Sequence, residues 1–501
     1  MKRELETSLH DPYRPQYHFT PQRQWMNDPN GMVYFEGEYH LFYQYHPYGT
    51  TWGPMHWGHA VSPDMVHWEH LPVALEPDEH GAIFSGSAVV DWRDTTGFFG
   101  GKPGLVAIFT HHDTVPGSDR PRERQSLAYS TDRGRTWHKY AGNPVLADEK
   151  HHDYRDPKVF WHEASGRWVM VLATGQTVSF YTSPDLKAWS LSGTFGEKEG
   201  SHDGVWECPD LFELPIEGSG GRETRWVLFV SIGNNPAFPE GSRTQYFTGT
   251  FDGRQFVNDN PPETVLWLDC GRDNYAGVSW SDIPQEDGRR IYIGWMSNWQ
   301  YAQVTPTKEW RSAMTLPRAL SLRSVDGRLQ MIQRPVEELR RLRGAASVWR
   351  DIALGDDAQP WIGQEAACCE LIAEFELQDA REAGLRLRTS ASDAQEQEVV
   401  VGYDAASQQL FVDRTRAGEA SFHPLFAGRH AAPLRQDAHH RVTMHIWLDR
   451  SSVEVFAGDG SAAITDLIYP ADSDALRIGL YAAGGQAKLI SLAVYPLAPG
   501  L

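Results

Sequence analysis

The sequence predicts an all-β protein: a five-bladed β-propeller followed by a C-terminal β-sandwich. A unit of turn, strand, turn and strand recurs five times between about Gln24 and Leu320. Beyond Leu320 that unit disappears and strands with alternating apolar residues take over. The chain is also rich in aromatic residues, 12% of 501, with 19 tryptophans, which suits large β-structures and the stacking of sugar rings.

The repeat runs as follows. Asp28-Pro29-Asn30-Gly31 leads into Met32–Phe35 and returns through Tyr39–Gln44. Ser85-Gly86-Ser87 leads into Ala88–Val90 and returns through Leu105–Phe109. Arg155-Asp156-Pro157 precedes Lys158–Trp161 and returns through Trp168–Leu172. Glu207-Cys208-Pro209 precedes Leu211–Leu214 and returns through Trp226–Val230. Tyr275-Ala276-Gly277 precedes Val278–Trp280 and returns through Ile291–Trp295. The units end alike: Ser62-Pro63-Asp64 with Trp68, Ser130 and Asp132 with Gly134 and Trp137, Ser183-Pro184-Asp185 with Trp189, and Asp252-Gly253 with Phe256. In such turns Asp bonds its own backbone, Gly takes positive φ, and the aromatic packs beneath. Short apolar runs bounded by turns read as strands, and five four-stranded modules at this spacing suggest a propeller around a central channel. Tandem hairpin modules forming a sandwich are the alternative.

The propeller is expected over residues 14–333. The charged stretch Arg334 to Arg343 opens a linker, 334–350, and a second all-β domain fills 351–501. In that domain Val442, Met444, Ile446 and Leu448 fall on one face and Val453 and Val455 lie across a four-residue turn, the period-2 pattern of a sandwich.

Composition excludes several partners. A formal charge of -20 repels nucleic acid and anionic membrane. No apolar run approaches the ~20 residues of a bilayer span. Met1–Glu6 has no apolar core behind its positive charges, so no secretory signal is read there and a cytoplasmic location is expected. Four cysteines do not make a disulfide framework. No Cys/His spacing resembles a zinc site, and no metal or cofactor is expected. His111-His112-Asp113 and His151-His152-Asp153 lack spaced partner ligands and are better placed to shape a rim.

The chemistry is expected from three acids, Asp28, Asp156 and Glu207, read as equivalent points in three units that a radial arrangement would bring to one funnel. Each motif alone can be turn-making or an ion pair; their shared phase with the repeat is what singles them out. Glycosidic cleavage requires one carboxylate that acts as an anion and one that delivers a proton. Asp28, among Asn side chains and turn N–H groups, is expected to stay ionised. Glu207, flanked by Trp206 and Cys208, is expected to hold the proton, and Asp156 beside Arg155 to stay anionic and bind ring hydroxyls. Trp25, Trp52, Trp295 and Trp299 are candidate stacking platforms, and Cys208 is expected to pack beside the acid, not to act as a nucleophile.

Trp25-Met26-Asn27-Asp28-Pro29-Asn30-Gly31, Phe84-Ser85-Gly86-Ser87, Arg155-Asp156-Pro157 and Glu207-Cys208-Pro209 resemble the signature blocks of family 32 glycoside hydrolases. These are the β-fructofuranosidases: invertases, levanases and exo-inulinases. His56–Ser62 and Gly294–Trp299 are most similar to the levanase and exo-inulinase branch, and Asp449–Phe456 to the family's sandwich domain. The resemblance implies a five-bladed propeller plus sandwich and a retaining mechanism releasing terminal β-fructosyl units from sucrose, fructo-oligosaccharides, levan or inulin. Fructosyl transfer to a sugar acceptor is the neighbouring reaction. The resemblance makes Asp28 the nucleophile, Glu207 the acid/base and Asp156 the transition-state stabiliser. Trp25, Asn27, Gln44, Trp52, Phe84, Ser85, Arg155 and Trp295 become substrate-binding residues. An inverting arabinanase-type propeller and a non-catalytic carbohydrate-binding propeller are the alternatives; a sialidase would need an arginine cluster that the repeat lacks.

Overall fold

A computed structural model describes residues 11–148, 150–357, 359–365, 368–388, 397–471 and 476–500. Met1–Glu6, read above for a secretory signal, lies outside the described residues. The protein is all-β; its helical segments among the described residues are two short 3-10 turns, Ala302–Val304 and Glu337–Leu342.

The N-terminal part forms five sheets, each with four main strands that run antiparallel in chain order. Blade 1 comprises Gln24–Phe35, Glu38–His46, His56–Ser62 and Glu69–Leu75. Blade 2 comprises Ala82–Val90, Leu105–Thr114, Pro121–Ser130 and His138–Lys139, and blade 3 Arg155–His162, Arg167–Ala173, Val178–Ser183 and Ser190–Phe195. Blade 4 comprises Trp206–Pro215, Thr224–Ile232, Arg243–Phe251 and Phe256–Asn258. Blade 5 comprises Tyr275–Ser279, Arg290–Met296, Arg318–Val325 and Arg328–Pro335. The first strands touch one another in cyclic order, the fifth against the first, and so line one axis.

The repeated turn joins the third and fourth strands of the first four blades. Asp64 Oδ1 accepts the N–H groups of Val66 and His67, and Asp185 Oδ1 those of Lys187 and Ala188. The Trp68, Trp137 and Trp189 indoles donate to the carbonyls of Met65, Gly134 and Leu186, which fixes the aromatic beneath the turn. Gly134 and Gly253 take positive φ, as expected, but Met65 and Leu186 do so as well. Blade 5 runs on to Pro335, past the limit that the repeat suggested. Its last two strands are joined by Asp326-Gly327, both at positive φ, a tight hairpin turn without the Asp-Trp signature.

Two six-stranded sheets form the C-terminal sandwich. Alternate residues of each sheet, such as Val442, Met444, Ile446 and Leu448 facing Leu385, Leu387, Val399 and Val401, make its core. The stretch 334–350 holds the end of the Arg328–Pro335 strand, the Glu337–Leu342 turn and the start of the sandwich strand Ser347–Leu354.

The short strand Trp310–Arg311, from the far end of the propeller chain, joins the sheet of blade 1 in parallel beside Gln24-Trp25, and the parallel bridge Val33–Ser281 adds a second link between the first and last blades. The sandwich spans this seam. Glu454 accepts from His18 Nε2 at 2.9 Å, ahead of blade 1, and from the Leu316 N–H at 2.8 Å and Arg318 Nη2 at 2.6 Å, in blade 5. All three side chains are buried. Burial opposes the charge on His18, but hydrogen bonds to Asp449 and Glu454 outweigh it and push its pKa up to about 9. The stability this provides is present in full below the ordinary histidine pKa and is lost as pH rises through about 9. Glu454→Ala leaves His18 with Asp449 alone and Arg318 with Asp269 as its one carboxylate, and is expected to cost about 3 kcal/mol, read from the denaturant midpoint at pH 7.

Candidate active site

Every first strand carries the same irregularity. One extra residue is inserted between Met26 and Pro29, Ile83 and Gly86, Arg155 and Lys158, Glu207 and Asp210, and Tyr275 and Val278. A bulge bends its strand and re-aims the side chains around it. Asp156, Cys208 and Ala276, at the same point of this bulge in blades 3, 4 and 5, all take positive φ, the kind of backbone strain that collects at functional sites.

The bulge corrects the expected equivalence of the acids. Glu207 is in register with Arg155 and Tyr275, Asp156 with Cys208, and Asp28 with Ser85 one step further on. The three acids thus occupy three successive levels of one ring, and they still converge. Asp28, Asp156 and Glu207 line a single cavity of about 540 Å³ at the head of the axis.

Asp28 Oδ1 accepts from Asn27 Nδ2 at 3.0 Å and Oδ2 from Ser85 Oγ at 2.8 Å; Asn27 is itself held by the Trp25 indole at 2.7 Å. Asp156 Oδ2 accepts the Cys208 N–H at 2.9 Å. The Cys208 thiol lies under both, 3.5 Å from Asp28 and 3.6 Å from Asp156. Burial, then the neighbouring carboxylates, push this thiol well above its usual range, so it stays protonated, as a packing residue does. Glu207 accepts from Arg155 Nη2 at 2.9 Å and from the Tyr275 hydroxyl.

The two acids expected to stay ionised are both shifted upward. Burial raises the Asp28 carboxyl, Glu207 adds to the shift, and the Asn27, Ser85 and Cys208 hydrogen bonds only partly offset it. Burial likewise pushes Asp156 up to about 7, against the pull of Arg155. The guanidinium is shared: its Nη1 meets Asp153 at 2.6 Å and Glu123 at 3.2 Å, and its Nε is 4.0 Å from Asp156. Divided in this way, the guanidinium does not offset the burial of Asp156. The flanks of Glu207 also lie elsewhere than its place in the sequence suggests. Trp206 turns into the core between blades 3 and 4, and Cys208 into the floor, so neither shields the Glu207 carboxyl.

Of the residues expected to bind substrate, Asn27, Gln44, Trp52, Phe84, Ser85 and Arg155 line the cavity. Trp52, 42% exposed, stands at its mouth against Phe84. Trp25 and Trp295 do not line it. Both are 0% exposed and lie behind Trp299, with ring centroids 5.8 and 4.8 Å from it, so Trp299 presents the aromatic surface and the other two support it. Tyr275 and Glu123 escaped sequence reading. Tyr275 was visible only as the opening of the fifth unit, and alignment by the bulge would have placed it beside Glu207. Glu123 comes from the third strand of blade 2, where no motif marks it. His112, stacked on Phe84 at 4.2 Å, His152 and Asp153 complete the wall.

Asp156 gives a pH-dependent test. An aspartate free in the unfolded chain ionises near pH 4, whereas in the fold it does so near 7, so stability falls across that window. Asp156→Asn escapes this loss. Its melting temperature is expected to match the parent near pH 4 and to exceed it increasingly up to about pH 7, a gap of a few kcal/mol by order of magnitude.

The profile of the glycosyl hydrolases family 32 N-terminal domain matches residues 18–335, and that of the family 32 C-terminal domain residues 336–496. The levanase of Bacillus subtilis (strain 168) is 53% identical over 491 residues, covering 97% of this chain and 70% of that one. The extracellular exo-inulinase of Aspergillus niger (strain ATCC MYA-4892 / CBS 513.88 / FGSC A1513) is 39% identical over 516 residues, covering 97% and 94%. The crystal structure of the Aspergillus awamori exo-inulinase superposes with a TM-score of 0.88 at 37% identity, over 98% of this chain and 99% of that one. A β-fructofuranosidase of Schwanniomyces occidentalis complexed with fructosyl-erythritol gives 0.87 at 31%, over 97% and 98%.

Proposed function

The chain belongs to glycosyl hydrolase family 32, and on that premise we propose that it releases terminal non-reducing β-D-fructofuranosyl units from fructosides by double displacement. The relatives named for levan, inulin and fructofuranosides make it a glycosidase of fructans and sucrose. The observation that carries the mechanism is the meeting of Asp28, Asp156 and Glu207, from three separate blades, in one cavity.

In the first step a carboxylate oxygen of Asp28 attacks the anomeric C2, the bond from C2 to the leaving oxygen breaks, and Glu207 gives that oxygen its proton. The Ser85 and Asn27 hydrogen bonds hold the attacking carboxylate in one orientation, which lowers the entropy of reaching the transition state. Proton donation leaves Glu207 as an anion, and Arg155 and Tyr275 are placed to stabilise the charge as it develops. In the second step Glu207 takes a proton from water, the hydroxyl oxygen bonds to C2, and the ester to Asp28 breaks. Asp156, Trp52, Phe84 and Trp299 line the same cavity; in this mechanism Asp156 stabilises the positive charge that develops on the sugar ring and the aromatics take its apolar face.

The test is product analysis. Sucrose, levan and inulin are expected to yield fructose whose first-formed anomer, seen by NMR before mutarotation, is the β-furanose. The α anomer would overturn double displacement, and activity confined to arabinan would overturn the substrate class. Among the described residues no helix is long and apolar enough to cross a membrane. The cytoplasmic location expected from the sequence contrasts with exo-inulinases named extracellular; assays of washed cells against culture medium decide between them.

A further inference from the structure

The propeller axis has a second mouth. The bulged ends of the first strands surround the acids, while their opposite ends, around Val89-Val90, Phe160-Trp161 and Leu211–Glu213, open into another cavity of about 640 Å³. It is larger than the catalytic one. A void of about 10 Å³ bordered by Asp156 and Lys158 touches the linings of both, room for a single water.

The lining of this far cavity has the chemistry of a carbohydrate site. Trp92 stands at its edge, 57% exposed, with its indole N–H fixed on Asp282 Oδ1 at 2.8 Å, so the ring face is offered to solvent in one orientation. Phe160, Trp161 and Trp226 supply an apolar wall. The Trp161 indole N–H is buried and has no hydrogen-bond partner among the described residues. Arg93 lies over the Trp161 ring and pairs with Glu163, both exposed at the rim, and Arg290 reaches in from blade 5. Arg93, Lys158 and Arg290 line the cavity together with Asp91, Glu163, Glu213 and Asp282, three cations against four carboxylates, so it is near neutral. That balance suits neither an anion nor a cation. It suits an uncharged polyol with an apolar ring face to stack and hydroxyls to exchange with mixed donors and acceptors.

We propose that this far cavity is a second, non-catalytic binding site for a fructan chain, with Trp92 as its stacking platform. The identity of the sugar rests on the fructosidase reading above; the site itself rests on the lining. A polymer held there keeps the enzyme among many chain ends, raising their effective concentration at the catalytic mouth.

The experiment compares Trp92→Ala and Trp92→Phe with the parent. Activity is measured on sucrose and on levan, and migration in native gels cast with levan or dextran is measured in an Asp28→Asn background. Both variants are expected to hydrolyse sucrose at the parental rate, which also reports their folding. Trp92→Ala is expected to lose about three- to tenfold in levan retardation and in kcat/KM on levan, the equivalent of one stacking contact. Trp92→Phe is expected to keep most of both, and dextran to retard none of them. Unchanged levan retardation and levan turnover in Trp92→Ala overturns the site while leaving the fructosidase reading intact. A parent inactive on sucrose and levan overturns that reading instead.

Discussion

Asp28→Ala is expected to lower kcat on sucrose by about 10⁴-fold or more, the loss that follows removal of an attacking group. The side chain is half-buried and accepts hydrogen bonds from Asn27 in its own blade and from Ser85 and the Cys208 thiol in two others, all neutral donors and none an ion pair. Its removal also relieves the burial of a carboxyl, so the variant is expected to fold and to melt no lower than the parent. The truncation leaves space on the floor that a small anion can enter. Added azide is expected to restore part of the turnover and to give fructosyl azide with the anomeric configuration inverted. A variant with near-parental kcat would remove Asp28 from the reaction, and rescue that yields the retained anomer would place the attack elsewhere.

Glu207→Gln is expected to cost about 10²- to 10⁴-fold on sucrose, the usual range for a positioned proton donor. The amide keeps an oxygen for Arg155 and a polar group beside Tyr275, so the site retains its shape. What it lacks is a proton to give and a base to accept one. Fructosides whose leaving group is a nitrophenol need no proton in the first step and are expected to react nearly normally there. The second step still requires the base, so a burst of one nitrophenol per active site is expected, followed by a slow steady rate. Equal losses on activated and natural substrates, without a burst, would make Glu207 a positioning residue.

Much of this was legible in the sequence because propeller blades repeat their turns. Asp64, Asp132, Asp185 and Asp252 mark the same link in four blades, and local hydrogen bonds decide such links. The acids were found by their phase with that repeat. Their relative levels were not, because proline was taken as the reference point. Pro29 follows the bulge, whereas Pro157 and Pro209 sit inside it. A one-residue insertion in a strand has no compositional mark. The upward shifts of Asp28 and Asp156 were hidden for a related reason. Sequence neighbours such as Trp206 and Arg155 were taken as the environment, yet along a strand the neighbour faces the other way, and the true surroundings come from other blades. Trp25 and Trp295 show the same limit: a tryptophan in a binding motif can be the one beneath the surface.

The seam between the first and last blades carries a lesson for anyone wishing to trim the protein. Short parallel contacts join the two ends of this ring from within, and from outside one carboxylate, Glu454, grips both sides of the same seam. The C-terminal lobe is therefore a clasp and not a detachable ornament. Truncation before it should yield a barrel that springs open along one line, exposing Tyr17, Trp280 and Met314 to aggregation before any blade itself has melted.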